Sequence, residues 1–142
     1  MISDKVKKEN EMKKTYLKSY KAAVKAVELI DDEIRQLRLD KMCPSVINDG
    51  MPHTSNCVDL SAYAARLDEL QIELMDYRYK RINLYAEIIS KIENMSEETE
   101  KSVLRLKYIH GLSWEKVAVK MGYGWSRIHE IHSSALKNFS MD

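Results

Sequence analysis

Four groups of residues have types and spacings that bear on chemistry, and only one forms a coherent site. Cys43, His53 and Cys57 spell C-x9-H-x3-C. That is one ligand short of a tetrahedral zinc set and follows no structural-zinc spacing, so it reads as two loop thiols in a reducing compartment with no metal. His129 and His132 lie three apart, as a helical metal pair would, but have no third ligand and read as structural. Asp31, Asp32 and Glu33 are consecutive on a helical stretch and point in different directions. No Gly-rich phosphate loop or nucleophile elbow accompanies them, so neither an enzyme nor a cofactor is expected.

The coherent pattern is Ala118, Gly122 and Ile128, spaced A-x3-G-x5-I. It supplies a small residue where two helices cross, a left-handed turn residue, and an inward-facing residue on the second helix. Val117, Met121, Ile131, Ala135 and Phe139 continue the inward face. Ser113 is placed to cap the first helix, with Trp114 in its first turn. Ser96, followed by Glu97, Glu98 and Glu100, is placed to cap a shorter helix that Gly111 ends. Together these spell a three-helix helix-turn-helix unit. Counting the reading helix from Gly124, its outward positions are Trp125, Ser126, Arg127, His129, Glu130, Ser133, Ser134 and Lys137. Such positions reach base edges in the major groove, and Lys116 and Lys120 are placed for phosphate. Trp125, with His132 and Leu136, falls near the rim of the buried face.

Long elements must carry this unit. Residues 1–43 and 53–110 contain neither Gly nor Pro, and no period-two β-branched run competes with helix, so the chain reads as all-α. A first helix is expected over about residues 5–41. Its stripe of Tyr16, Tyr20, Ala23, Val27, Ile30, Ile34 and Leu37 alternates four and three. A loop over 42–58 follows, then a second helix over 59–94 with Asp59 as N-cap. That helix carries two rows: Leu67, Leu70, Leu74, Tyr77, Arg81, Leu84 and Ile88, continued by Met95; and Ile72, Met75, Tyr79, Ile82, Ala86 and Ile89. So wide an apolar arc predicts more than one partner helix. A hairpin or coiled-coil-like core (residues 1–95) that dimerises as four helices answers this, with the helix-turn-helix unit in 96–142.

The formal charge is +1, from 23 Lys+Arg and 22 Asp+Glu. This hides a local excess: residues 5–25 hold eight Lys against Glu9 and Glu11. Lys7, Lys14, Lys18, Lys21 and Lys25 share a narrow helical arc opposite the Tyr16 stripe. They read either as a solvated face or, for Lys14, Lys18, Lys21 and Lys25, as non-specific phosphate contacts. No stretch approaches a membrane span and the first residues carry no apolar signal core, which predicts a cytoplasmic protein.

Residues 104–136, LRLKYIHGLSWEKVAVKMGYGWSRIHEIHSSAL, resemble the helix-turn-helix of region four of sigma factors. More closely, they resemble the small prophage regulators of the ArpU- and RinA-like group in Gram-positive bacteria. DGMPHTSNCVDLSAYAARLDEL, 49–70, is similar to that group's middle loop and the start of its second helix. The resemblance implies a phage transcription regulator of late or packaging genes that binds promoter DNA; together with the dimerising helical core, the expectation is double-stranded DNA bound by a homodimer or higher homo-oligomer. Carried over by position, its reading residues are Gly124 to Arg127, His129, Glu130, Ser133 and Ser134. This chain departs from the group at Gly124 (typically a Ser cap), at Trp125 and Ser126 (an Arg-rich start), and at Glu130 (a basic position). The alternative expectation is a protein-interaction module whose helix-turn-helix docks on host RNA polymerase or a packaging component.

Overall fold

The structure is a computed structural model and describes residues 2–42 and 56–142. Every element among the described residues is helical. Two long helices, α1 (Ile2–Met42) and α2 (Asn56–Glu93), are followed by three short ones: α3 (Glu98–Leu104), α4 (Trp114–Met121) and α5 (Trp125–Asn138). A π-helical turn, Arg105–Ile109, continues α3 directly. The all-α architecture expected from the sparse Gly and Pro is the one observed. Cys43 and His53 lie outside the described residues. Cys57 falls within α2, on a turn whose side chains are not described. α2 begins at Asn56, so Asp59 sits inside the helix rather than at its N-cap.

The chain packs as two compact units, and α1 and α2 each contribute to both. Unit 2 spans Val24–Tyr79. Its core is Val27, Ile30 and Ile34 of α1 against Leu70 and Leu74 of α2, with Leu37, Leu67 and Tyr77 packed alongside. These are the last four members of the predicted α1 stripe and the first four of the first α2 row, so the spacing of four and three identified the contact face correctly. Arg78 pairs with Asp31 at 3.5 Å across the same contact. The second row behaves differently: Ile72, Met75 and Tyr79 are exposed, as is Ile82 one turn further on. Arg81, placed by spacing in the first row, is exposed as well.

Unit 1 joins Met1–Ala23 to Lys80–Asp142. Where sequence reasoning sets a boundary at residue 95, the packing carries one core across it. Leu17 of α1, Ile88 and Ile92 of α2, and Met95 pack with Leu104, Tyr108, Ala135, Leu136 and Phe139 of the C-terminal helices. A second core, Val103, Val117, Ile128 and Ile131, lies inside the helix-turn-helix.

The caps explain the turns. α3 starts from Glu97 rather than Ser96: the first helical bond runs from Lys101 N–H to the Glu97 carbonyl, and no side chain caps it. Its end is widened by one residue. His110 N–H bonds the Arg105 carbonyl at 2.9 Å and Leu112 N–H the Leu106 carbonyl at 3.1 Å, while Gly111 takes φ +68°. The extra residue is the π turn.

Candidate nucleic-acid interface

The α4-turn-α5 geometry begins with its caps. Ser113 Oγ accepts from Lys116 N–H at 3.4 Å, as its position predicted. α4 ends in a Schellman turn. Gly122 has φ +72°, and Tyr123 N–H donates to the Ala118 carbonyl at 3.1 Å. Gly124 is the N-cap of α5 in extended geometry and offers no side chain to cap it. Val117 and Ile128 are fully buried between the two helices, and Ala118 is half-buried where they cross. α4 and α5 therefore form the compact helix pair that the A-x3-G-x5-I spacing implied.

Burying Ile128, Ile131, His132, Ala135 and Leu136 turns the opposite side of α5 outward. Ser126, Glu130, Ser133 and Lys137 stand exposed along that outward row. Arg127 is exposed beside it and pairs with Glu130 at 3.2 Å, so the middle of the row is internally neutralised. Lys116 and Lys120 are exposed on α4.

Two predicted reading residues are committed elsewhere. Ser134 donates to Glu100 at 2.6 Å, and Asn138 donates to both oxygens of the same carboxylate at 3.1 and 3.0 Å. Glu100 is only 7% exposed, so these bonds replace the water it gives up and tie α3 to α5. His129 packs between two indoles, with ring centroids 4.5 Å from Trp125 and 5.1 Å from Trp114. Trp125 itself remains 56% exposed, beside the outward row of α5.

Trp114 also packs edge-on against His132, at 4.5 Å between centroids. His132 shares a 2.7 Å hydrogen bond with the Tyr108 hydroxyl through Nε2. Burial is the main cause that holds the His132 pKa down at about 4, and the charges of Lys14, His129, Lys107 and Lys18 add to it. Burial likewise pushes Tyr108 up to about 12, with a smaller contribution from Glu11. The two histidines are thus members of an aromatic cluster. Among the described residues no three His, Cys, Asp or Glu side chains are placed to hold a metal.

A positive cluster adjoins this aromatic group. Lys107 lies 4.7 Å over the Trp114 ring and donates to the Leu112 carbonyl at 3.3 Å. Its pKa is lowered by burial first and then by the charges of Lys21 and Lys18 on α1. Lys7 and Lys14 line a groove with His132 and Ser133. Of the four predicted phosphate-contacting lysines, Lys14, Lys18 and Lys21 therefore lie in the unit that holds the helix-turn-helix, and Lys25 lies in the other.

Sequence reasoning missed Lys13. Its Nζ is buried and donates to the Leu136 carbonyl at 2.9 Å and the Lys137 carbonyl at 3.4 Å. An ammonium there meets the free carbonyls and the negative end of α5, and so fastens α1 to α5. The signal was present: Lys13 lies next to the Tyr16 and Leu17 face and not in the lysine arc.

The family model of a protein of unknown function, DUF722, matches residues 58–140, and the chain belongs to that family. No curated protein and no solved structure matches it.

Proposed function

We propose that this member of the DUF722 family is a sequence-specific DNA-binding transcription regulator that reads the major groove with α5. The observation that carries the reading is the α4-turn-α5 geometry. A left-handed glycine at 122, a half-buried alanine at 118 and a fully buried isoleucine at 128 leave Ser126, Glu130, Ser133 and Lys137 outward. In this reading Ser126, Ser133 and Lys137 contact base edges and phosphates, and Glu130 accepts from a cytosine amino group. Arg127 is released from Glu130 to reach guanine or phosphate. Lys116 and Lys120 of α4 fix the register, and Lys14, Lys18 and Lys21 of α1 add sequence-independent affinity. The sequence resemblance to prophage regulators supports a phage gene, in control of late or packaging functions, as the setting.

Fluorescence anisotropy on duplexes from the promoter region of the phage encoding the protein tests this, with an unrelated duplex as competitor and salt as the variable. Binding is expected to weaken steeply with salt. Lys18→Gln combined with Lys21→Gln should flatten the log–log slope by about 2, since each contacted phosphate contributes about 0.9. Absence of binding to every promoter fragment at low salt overturns the reading.

A second reading is favoured by one observation, the Arg127–Glu130 pair, which leaves the outward row of α5 nearly neutral. In it the helix-turn-helix docks on host RNA polymerase or a packaging component. Capture of a purified polymerase subunit by the full chain, without a DNA shift, selects it.

A further inference from the structure

Among the described residues, nothing covers the first four members of the second apolar row of α2. Ile72, Met75 and Tyr79 are 66, 72 and 69% exposed, and Ile82 on the next turn of the same helix is 64% exposed. Their spacing of three, four and three is that of a coiled-coil seam, whose knobs fit the holes of another helix with the same repeat. Isolated exposed apolar residues are ordinary, but four in register on one helix face are not.

We propose that this face is covered by a second copy of the chain, α2 against α2, in a symmetric pair. Area favours this occupant. Four side chains of roughly 180 Å² each, about two-thirds exposed, offer about 500 Å² per copy, hence about 1,000 Å² across a pair, the threshold for a specific interface. A second copy also presents an identical seam, as a two-fold interface requires. The interior of unit 2 points the same way. Among its described residues it has five buried apolar side chains, all at the contact between α1 and α2. A helix pair with one buried face each gains a stable interior by stacking on a second pair, as in a four-helix assembly.

Sedimentation equilibrium of the full chain, without DNA, at concentrations up to about 100 µM tests the assignment. Wild type is expected to run at twice its monomer mass. Met75→Glu with Tyr79→Glu should run as a monomer with unchanged helical circular dichroism, because both positions are mostly solvent-exposed within the chain. Should that pair of charges cost helicity, Ile72→Ala with Ile82→Ala provides the milder test, with an expected weakening of the dimer by tenfold or more. A monomeric wild type, a trimer, or a dimer indifferent to both double substitutions overturns the assignment. The measurement contains no DNA, so its failure leaves the proposed reading of DNA standing.

Discussion

His132 should make folding of this protein pH-dependent in a window where most histidines would not. The ring is 7% exposed, hydrogen-bonded to Tyr108 and packed on Trp114. The charged groups that bear on it come from three elements: Lys14 and Lys18 on α1, Lys107 on the π turn, and His129 on α5. Its pKa falls from 6.5 to about 4, mainly through burial. The folded chain therefore refuses a proton that the unfolded chain accepts below pH 6.5. Stability is lost as the pH falls from about 6.5 towards 4, and is fully present above that window. Linkage gives a loss of about 2 kcal/mol at pH 5 and about 3 kcal/mol at pH 4, relative to neutral pH.

Carboxylates titrate over part of the same range, so the measurement is a difference between two proteins. His132→Gln keeps a polar partner for the Tyr108 hydroxyl and cannot titrate. Urea unfolding of wild type and His132→Gln at pH 7, 6, 5 and 4 then gives the pH dependence of their stability gap. Whatever the substitution costs at pH 7, wild type should lose about 3 kcal/mol more than the variant by pH 4. A gap constant to within about 0.5 kcal/mol across the series would refute the reasoning, because it would mean that the ring binds its proton equally in both states.

Two further substitutions probe the geometry around α5. Glu100→Ala removes the acceptor of Ser134 and Asn138 and should cost about 2–3 kcal/mol in urea unfolding, with Glu100→Gln recovering part of it. Gly122→Ala meets no atom within 4 Å, so its cost should be the left-handed backbone alone, about 1–2 kcal/mol by thermal or urea unfolding.

Legibility in the sequence followed how local each cause is. Ser113, Gly111 and Gly122 do what their positions predict, because a cap or a left-handed turn is decided within a few residues. The α1 stripe was readable for the same reason, its periodicity recording the one side of the helix that is buried, with Tyr16 and Tyr20 at one core and Val27, Ile30 and Ile34 in the other. Ser96 was a nearer miss: the turn leaving α2 delays α3 by one residue, and Glu97 takes the cap position. What the sequence does not carry is which face meets which partner. The two rows of α2 have the same kind of apolar residues at the same spacing, yet Leu70 and Leu74 are buried while Ile72 and Met75 are not. Glu100 looked like one more acid in a first turn, and Ser134 like one more outward hydroxyl. Only the approach of α3 to α5 makes them partners. His129 had the spacing of a reading residue, but two tryptophans at separate positions close on its ring.

The same distinction decides what the net charge means. Summed along the chain, residues 96–142 hold seven basic and six acidic side chains, which is a poor balance for a nucleic-acid reader. Electrostatic potential is summed over space, however, and in unit 1 the charges of Lys14 and Lys18 are felt at His132 and those of Lys18 and Lys21 at Lys107. Lys13, two turns before Lys21, is withdrawn from that field, because its ammonium is buried against the last carbonyls of α5. One helix thus supplies both the fastening and the charge. Lys13, Leu17 and Tyr16 hold α1 against α5 and the core they share, and Lys14, Lys18 and Lys21 on the same stretch of α1 lie in the unit that holds the helix-turn-helix. Under the proposed reading of DNA, a helix as nearly neutral as α5 would confer sequence preference while α1 would supply the sequence-independent attraction. That division requires the two helices to be fixed to each other, as the buried ammonium and the shared core make them.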